Sequence, residues 1–247
     1  MKTNKSVQNS YSVIRQALQK LANPAKAAIL GRFFKTGPGE YGQGDIFWGI
    51  TVPEQRTVAK RFANLSLDII KKMLADPIHE VRLTAGLILV DQCRHNPSQH
   101  QDYLDFYLNN IASFNNWDLI DLTAPKIIGQ YLVNNQNKKL LLLKELRRND
   151  NLWARRAAMV ANLTLIKHGD YRTALRMAPQ YLKERHDLLH KATGWILREV
   201  GKRNQTALLN FLDHWASRMP RVMLRYSLEK LPAPLRQKYL SIRYVNH

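Results

Sequence analysis

The segment Leu152-Trp153-Ala154-Arg155-Arg156-Ala157-Ala158-Met159 decides the fold, because related segments recur along the chain. Each version places a basic residue just before a small or packing residue, within a run of helical periodicity. The other versions are Glu80-Val81-Arg82-Leu83-Thr84-Ala85-Gly86-Leu87, Leu188-Leu189-His190-Lys191-Ala192-Thr193-Gly194-Trp195 and Pro220-Arg221-Val222-Met223-Leu224-Arg225-Tyr226-Ser227. Helices that repeat in this way are typical of stacked two-helix repeats, in which neighbours bury one another's apolar faces.

The spacing of the repeated positions supports the same interpretation. The aligned positions are Arg82, Asp121, Arg156, Lys191 and Arg225. Their intervals are about 39, 35, 35 and 34 residues, within or just below the length of two-helix repeats. We therefore predict a HEAT-like solenoid whose second helices line a concave, basic groove. In that groove Asp121 is the one acidic residue of a basic row.

Helical periodicity extends along the whole chain, and no segment shows the sustained alternation of a strand. Prolines punctuate the short connections, as in Asn23-Pro24 and Asp76-Pro77. The chain is predicted to be all-α, forming a single domain over residues 1–247. The predicted helices span 8–22, 24–35, 53–62, 66–75, 78–95, 99–111, 117–133, 138–148, 151–167, 170–183, 186–200, 204–217, 219–230 and 233–242.

The charge balance indicates a polyanionic partner. The 247 residues include 38 Lys and Arg but 19 Asp and Glu, which gives a net charge of +19. Nucleic acid is the first candidate. An anionic membrane surface is the alternative, but the basic residues are spread along the chain and no apolar run could span a bilayer.

Cysteine usage and the N-terminal sequence predict a cytoplasmic protein, associated with the nucleoid when bound to DNA. The single Cys93 excludes an intrachain disulfide and fits a reducing compartment. It lies in an apolar helical run, so we interpret it as a small buried hydrophobe. The first residues are charged and lack the apolar core of a signal peptide.

A glycine-rich stretch, residues 36–50, breaks the helical pattern. It lacks the Gly-Lys-Ser/Thr ending and the preceding strand of a phosphate-binding loop. We interpret it as a flexible connection between the second and third helices. An alternative left open is that its backbone amides contact a DNA phosphate.

Residues 115–125 contain the candidate catalytic group. An asparagine can cap this helix, and Trp117 and Asp121 are four residues apart, so they share one face. Pro125 lacks the amide that would bond to the carbonyl of residue 121, which loosens the backbone at that level. The two residues lie at the edge of the predicted core stripe, which consists of Ile120, Ala124, Ile127 and Tyr131. A large indole and a carboxylate are unusual at such an edge, so we predict that Asp121 does chemistry.

Two other tryptophans share a helical face with basic residues. Trp195 is three or four residues from Lys191 and Arg198, and Trp153 is three from Arg156. Such tryptophans can equally belong to the core while the charges are solvated. We favour the core interpretation for Trp153, because small and apolar residues continue its stripe.

The sequence shows neither the ligand pattern of a metal site nor the residue pattern of a nucleophilic hydrolase. His186 and His190 are four residues apart, but a third ligand and the His-Glu-x-x-His pattern are missing. No Ser-His-Asp or Cys-His arrangement can be recognised. We therefore predict neither a metal site nor a cofactor.

Three separated motifs together resemble one family. They are Asn116-Trp117-Asp118-Leu119-Ile120-Asp121 with Pro125, Leu152-Trp153-Ala154-Arg155-Arg156-Ala157-Ala158, and Lys191-Ala192-Thr193-Gly194-Trp195-Ile196-Leu197-Arg198-Glu199. Their order and content resemble the AlkD-type DNA alkylation repair proteins, which are HEAT-like-repeat DNA glycosylases. The resemblance covers nearly the whole chain.

The resemblance implies roles for individual residues. Asp121 would be the catalytic carboxylate, Trp117 and Trp195 would pack against the DNA backbone around the lesion, and Arg156 would hold a phosphate. Phe33 lies where some members have tyrosine, so the hydroxyl of that position is missing here.

The basic row and its neighbours complete the expected DNA contacts. They are Arg82, Lys191 and Arg198, with Phe33 as an aromatic contact at the N-terminal end. The expected partner is double-stranded DNA containing alkylated purines, bound by a monomer.

The implied substrate explains why one carboxylate is enough. A purine alkylated at N3 or N7 is already cationic, so its glycosidic bond can break without a general acid. Asp121 would stabilise the sugar cation and position water. No lysine is implicated as a Schiff-base nucleophile, so we expect a monofunctional enzyme that leaves an abasic site.

Two other functions remain open on the sequence. The first is a non-catalytic HEAT-repeat protein that binds branched or damaged DNA, although a bare carboxylate in a phosphate-binding surface argues against it. The second is a protein-binding scaffold, for which the net charge of +19 is hard to explain.

Overall fold

The computed structural model describes residues 2–244, with side chains from Tyr11 onward, and this part of the chain is built from helices. The α-helices are α1 (Lys2–Gln19), α2 (Pro24–Phe33), α3 (Val52–Arg61), α4 (Leu67–Leu74), α5 (His79–His95), α6 (His100–Asn109), α7 (Trp117–Ala124), α8 (Gln130–Asn134), α9 (Lys139–Arg148), α10 (Leu152–Val160), α11 (Asn162–Lys167), α12 (Arg172–Met177), α13 (Asp187–Arg203), α14 (Gln205–Trp215), α15 (Arg221–Leu228) and α16 (Ala233–Leu240). The all-α prediction is confirmed.

Short helical turns connect several of these elements. A π-helical turn spans Pro125–Gly129, and 3-10 helices span Pro97–Gln99, Ile111–Ser113, Ala178–Tyr181 and Ala216–Arg218. The predicted helices 117–133 and 151–167 are therefore interrupted: the first becomes α7, the π turn and α8, and the second becomes α10 and α11. Proline accounts for the first interruption, because it cannot donate a helical hydrogen bond. The described chain also contains an isolated parallel bridge between Ile46 and Ile78.

The chain divides into two compact units, whose boundary in sequence falls between Ile127 and Ile128. In the first unit α5 is the central helix and packs against α3, α4 and α7. Its first turn is buried even though it contains His79, Glu80 and Arg82. Buried polar groups must find partners inside the protein, so these three residues fix their surroundings.

The turn before α5 is fixed by a second buried carboxylate, that of Asp76. It accepts hydrogen bonds from the Tyr11 hydroxyl at 2.5 Å, from Arg15 Nε at 2.9 Å and from the Ile78 amide at 2.8 Å. Burial, followed by the bond to Asp76, raises the pKa of Tyr11 to about 12. Helix α1 is thereby attached to the start of α5.

In the second unit α13 is the central helix and packs against α10, α14 and α15. Glycine allows the closest of these approaches. A Cβ at Gly194 would lie 2.4 Å from the Met223 carbonyl oxygen and 2.6 Å from the Tyr226 Cβ. The contact between α13 and α15 therefore depends on the missing side chain.

Among the described residues, no helix combines the length and the apolar character that crossing a bilayer requires.

The single cysteine lies in the core. Cys93 is 4% exposed, and burial raises the pKa of its thiol to about 12. The interpretation of Cys93 as a buried hydrophobe is confirmed.

Gly194→Ala should destabilise the protein. The added methyl group meets the backbone of α15, which cannot rotate away, so the overpacking should lower the free energy of unfolding by about 1–3 kcal/mol. Urea denaturation measures the change. Gly31→Ala on α2 is the matched control, because the nearest atom to a Cβ there, Thr36 Oγ1, is 3.5 Å away. Equal stability of the Gly194→Ala variant and the parent would contradict the close approach.

Candidate nucleic-acid interface

Helix α7, which carries Trp117 and Asp121, has a firmly anchored N-terminus. The Asn116 side-chain oxygen accepts the Trp117 amide at 2.8 Å and so caps the helix. The side-chain nitrogen of Asn116 donates to Asp45 at 3.1 Å. Asn116 is completely buried, so the cap also connects α7 to the glycine-rich segment.

A carboxylate–histidine–carboxylate bridge lies beneath this helix start. His79 Nδ1 is 3.0 Å from Asp45 Oδ2, and His79 Nε2 is 2.9 Å from Asp118 Oδ2. Arg82 Nη2 donates to the other oxygen of Asp45 at 2.5 Å. The side chains of Asp45, His79 and Asp118 are no more than 11% exposed. The bridge therefore connects three separate segments of the first unit inside its core.

The bridge is ionised at neutral pH. Burial opposes a charge on His79, but the charge of Asp118 and the hydrogen bonds to both carboxylates outweigh it and raise the pKa of His79 to about 9. Burial alone would raise the pKa of Asp45, yet the hydrogen bond from His79 and the charge of Arg82 hold it below its usual value. Both imidazole nitrogens therefore donate, and two carboxylates face two cations.

An aromatic stack covers the bridge and holds Trp117. The Phe47 ring lies 4.5 Å from the His79 ring and 5.1 Å from Phe34, and Phe34 in turn stacks on Trp117 at 5.0 Å. Phe33 contacts the edge of Trp117 at 5.8 Å and is 60% exposed. The structure thus brings two predicted DNA contacts together, Phe33 and the half-buried Trp117.

The glycine-rich segment 36–50 is firmly attached at its C-terminal end. The carboxylate of Glu80 accepts the amides of Trp48 at 3.0 Å, Gly49 at 2.7 Å and Ile50 at 3.2 Å. Tyr41, from the same segment, accepts the indole N–H of Trp117 at 3.3 Å. The segment connects α2 and α3 as predicted, and a buried carboxylate fixes its C-terminal end; flexibility of the glycine run before it stays a prediction. The amides of residues 48–50 are also occupied by Glu80, which removes them as contacts for a DNA phosphate.

Asp121 lies one turn after Trp117 on α7 and is half-buried. Burial of Tyr107 raises the pKa of its hydroxyl, and the nearby charge of Asp121 raises it further. The predicted core stripe is confirmed, since Ile120, Ala124, Ile127 and Tyr131 are at most 3% exposed. Asp121 thus lies at the edge of the core, and the π-helical turn begins at Pro125, close to where the loosened backbone was expected.

Arg82 does not occupy the predicted position in a DNA-binding row. It is 5% exposed, and its guanidinium donates to Asp45 and, at 2.8 Å, to the Asp76 carbonyl. A cation that is buried against these acceptors offers nothing to a phosphate. The structure supports a structural role for Arg82 in place of the predicted DNA contact.

Arg156, in the second unit, is also buried. It is 4% exposed and donates from Nη1 to the Leu188 carbonyl at 2.5 Å, which connects α10 to the start of α13. Trp153 is 7% exposed and belongs to the core, as interpreted from the sequence. The buried position of Arg156 indicates that it organises the second unit. Its contact with a DNA phosphate stays a prediction.

The remaining predicted contacts lie together on α13. Lys191, Trp195 and Arg198 are half-buried, and their spacing of three or four residues places them along one face. Arg198 forms ion pairs with Glu229 and, at 3.4 Å, with Glu199. Its charge is therefore partly neutralised, so Lys191 and Trp195 are the better-placed pair.

No metal site is apparent in residues 2–244. They contain no group of three or more His, Cys, Asp or Glu side chains arranged to hold an ion. His186 instead caps α13 by accepting the Leu188 amide at 3.1 Å. The spacing of His186 and His190 thus has a structural explanation.

Sequence reasoning missed Asp45, His79 and Glu80. The available signal was weak: a histidine and a glutamate at a helix start after Asp76-Pro77, and an aspartate closing a glycine-rich run. Asp118 was recognised from the sequence only as part of the motif that contains Asp121. Its hydrogen bond to His79, 39 residues away in sequence, has no local pattern that could reveal it.

The fold is all-helical, with a half-buried carboxylate beside Trp117 in the first unit and half-buried basic residues on α13 in the second. The sequence profile of the DNA alkylation repair enzyme family matches residues 14–231. The chain belongs to this family, and the resemblance of its motifs is thereby confirmed.

Solved structures agree with this fold. A predicted DNA alkylation repair enzyme from Enterococcus faecalis superposes with a TM-score of 0.67 at 16% identity, covering 86% of this chain and 97% of that one. The crystal structure of smu.31 from Streptococcus mutans UA159 superposes with a TM-score of 0.50 at 18% identity, covering 78% and 93%. A comparison with curated proteins found no match. At these identities the structural likeness concerns the fold.

The charged bridge should make stability depend on pH between about 6.5 and 9. The folded state raises the pKa of His79 to about 9, above the ~6.5 of an unfolded histidine, so the stabilisation is complete below pH ~6.5 and lost as pH rises through about 9. The urea midpoint should therefore fall across this window. In His79→Gln the fall should be much smaller, and the midpoint at pH 6.5 should be lower. A parent midpoint that does not change between these pH values would show that His79 is neutral.

Proposed function

We propose that this protein is a monofunctional DNA glycosylase that releases N3- or N7-alkylpurines from duplex DNA. Membership in the DNA alkylation repair enzyme family gives the coarser role, that of an enzyme of alkylation repair acting on DNA. The observation that carries the finer proposal is Asp121, a half-buried carboxylate one helical turn after the half-buried Trp117, in a protein of net charge +19. We take residues 1–247 as one functional domain that acts in the cytoplasm as a monomer.

The proposed reaction needs one carboxylate. The bond between C1′ and the purine nitrogen breaks, its electron pair neutralises the cationic base, and the sugar is left as an oxocarbenium ion. Ionised Asp121 stabilises that ion and orients a water molecule. Water adds to C1′ and loses a proton, which yields the abasic sugar. Neither a general acid nor a covalent enzyme intermediate is required.

The anchoring of α7 supports this role. A carboxylate that stabilises developing charge works best when it is held in place before the reaction, because no energy is then spent on reorientation. Asn116, Asp118 and the stack on Trp117 fix the first turn of the helix from which Asp121 projects. Phe33 and Trp117 offer aromatic surface to the sugar-phosphate backbone.

Contacts in the second unit are proposed for Lys191 and Trp195. Both are half-buried, so the Trp195 ring can pack against a DNA strand while the Lys191 charge faces a phosphate. Arg198 contributes less, since Glu229 and Glu199 already neutralise it. Recognition through the backbone leaves selectivity to the lability of the cationic base.

The second candidate function is a non-catalytic binder of branched or damaged DNA. It would use the same basic residues but would have no use for Asp121. Replacement of that carboxylate therefore distinguishes the two functions.

Asp121→Asn should slow base release strongly while the protein still binds DNA. Loss of the negative charge removes stabilisation of the sugar cation, so we expect a fall of about 10²–10³-fold in the single-turnover rate. The assay measures release of 7-methylguanine from duplex DNA by chromatography. The DNA strand should remain intact until alkali is added, as expected of a monofunctional enzyme.

Asp102→Asn, an exposed carboxylate on α6 in the same unit, is the matched control and should release base as the parent does. No release by the parent, despite DNA binding, would reject the glycosylase and favour the non-catalytic binder. Equal release by the parent and Asp121→Asn would reject the catalytic role of Asp121.

Lys191→Gln should weaken DNA binding and make it less sensitive to salt. Each phosphate contact releases counterions, so loss of one should reduce the slope of log K against log salt concentration by about 1. Fluorescence anisotropy of a labelled duplex measures the slope. Lys167→Gln, an exposed cation on α11, is the control and should leave it unchanged. Binding by the parent that ignores salt would contradict a phosphate-based interface.

A further inference from the structure

A cleft in the second unit is built from helices that carry none of the proposed DNA contacts. It lies between α9 and the segment formed by α12 and the following 3-10 helix, with a volume of about 300 Å³. Leu143 and Met177 form its apolar floor and are 1% and 6% exposed, respectively. Leu140 lies at its rim and is 49% exposed. The cleft thus combines a buried apolar floor with an exposed leucine at its rim.

Four cations surround this apolar floor. Lys144, Arg147 and Arg148 lie on α9, and Arg176 lies on α12. No residue that lines the cleft is acidic. Within the described part of the chain, none of the four cations forms an ion pair. The cleft therefore presents concentrated positive charge that the protein itself does not neutralise.

Arg147 lines the cleft and also carries a buried donor atom. Its Nε atom is buried and has no hydrogen-bond acceptor in the structure. A buried donor without an acceptor costs free energy, so the folded protein holds the Arg147 side chain in place at a cost. Leu140, Lys144 and Arg147 follow one another at intervals of four and three residues, so they share one face of α9. The donor and the apolar rim thus belong to the same surface.

The apolar floor decides between the possible polyanions. A DNA backbone would pair with the cations, but it has no apolar group to fill a cleft floored by Leu143 and Met177. An anionic membrane would cover an exposed leucine, but a bilayer surface cannot project a single side chain into a recess. A peptide with carboxylates on either side of a bulky apolar residue matches both features.

We propose that this cleft is a docking site for an acidic peptide segment of a partner protein, which inserts one bulky apolar side chain between α9 and α12. The carboxylates of the segment pair with Lys144, Arg148 and Arg176. Arg147, which also lines the cleft, adds a fourth positive charge. The proposal does not depend on base excision, so a failure of the glycosylase assay leaves it standing.

The test uses the full-length protein and a fluorescein-labelled synthetic peptide in which aspartates and glutamates flank a Leu-Phe pair. Fluorescence anisotropy should show binding in the micromolar range. Replacing Leu-Phe by Ser-Ser should weaken binding about tenfold, because the apolar insertion is lost. Leu140→Ser should have a similar effect on the parent peptide. The double variant Arg148→Gln with Arg176→Gln should also weaken binding about tenfold at low salt.

Matched controls use exposed residues outside the cleft. Leu141→Ser removes the neighbouring leucine, which is 62% exposed, and Lys167→Gln removes a cation from α11. Both should bind the peptide as the parent does. All the substituted residues are exposed, so the variants should fold, and circular dichroism verifies this.

Three results would overturn the proposal. The Ser-Ser peptide could bind as tightly as the Leu-Phe peptide, which would leave only non-specific charge attraction. The Arg148 and Arg176 substitutions could weaken binding of a labelled oligonucleotide but not of the peptide, which would make the cleft a DNA contact. The protein could bind phosphatidylglycerol vesicles through Leu140 and ignore the peptide, which would make it a membrane contact.

Discussion

The ionised bridge from Asp45 through His79 to Asp118 is the interaction on which the rest of the first unit depends. Placing several charges in a core is costly unless each is paired and hydrogen-bonded. Here each charge has an opposite partner, at 3.0 Å and 2.9 Å on the two sides of the imidazole and with Arg82 on the far side of Asp45, although Asp118 Oδ1 and Arg82 Nε are buried without a hydrogen bond. Removing one partner would leave an uncompensated buried charge, so the three segments must keep their mutual arrangement.

That constraint reaches the surface through α7. Asp118 and Asn116 fix the first turn of the helix, while Phe34 and Tyr41 hold the Trp117 ring. The glycine-rich segment takes part because Glu80 binds its backbone amides. The buried network thus fixes the helical turn that precedes Asp121, which is what the proposed stabilisation of a short-lived cation would require.

The sequence predicted what depends on local pattern. Periodicity identified the helices, the α7 core stripe and the buried Trp153, because apolar spacing follows directly from helix geometry. The repeat pattern could not distinguish Arg82 from Lys191, which the sequence aligns with each other, yet one is buried and the other half-buried. That difference depends on Asp45, which is 37 residues from Arg82 in sequence. For the same reason the attachment of the glycine-rich segment could not be predicted, since its anchor Glu80 lies about 30 residues away.

The central claim is that a pre-positioned Asp121 stabilises positive charge on the sugar. The most direct measurement compares binding to duplex DNA that carries a protonated pyrrolidine in place of one deoxyribose with binding to the neutral tetrahydrofuran analogue. We predict that the parent prefers the cationic analogue and that Asp121→Asn loses this preference while it binds the neutral analogue normally. An equal preference in both proteins would contradict the account.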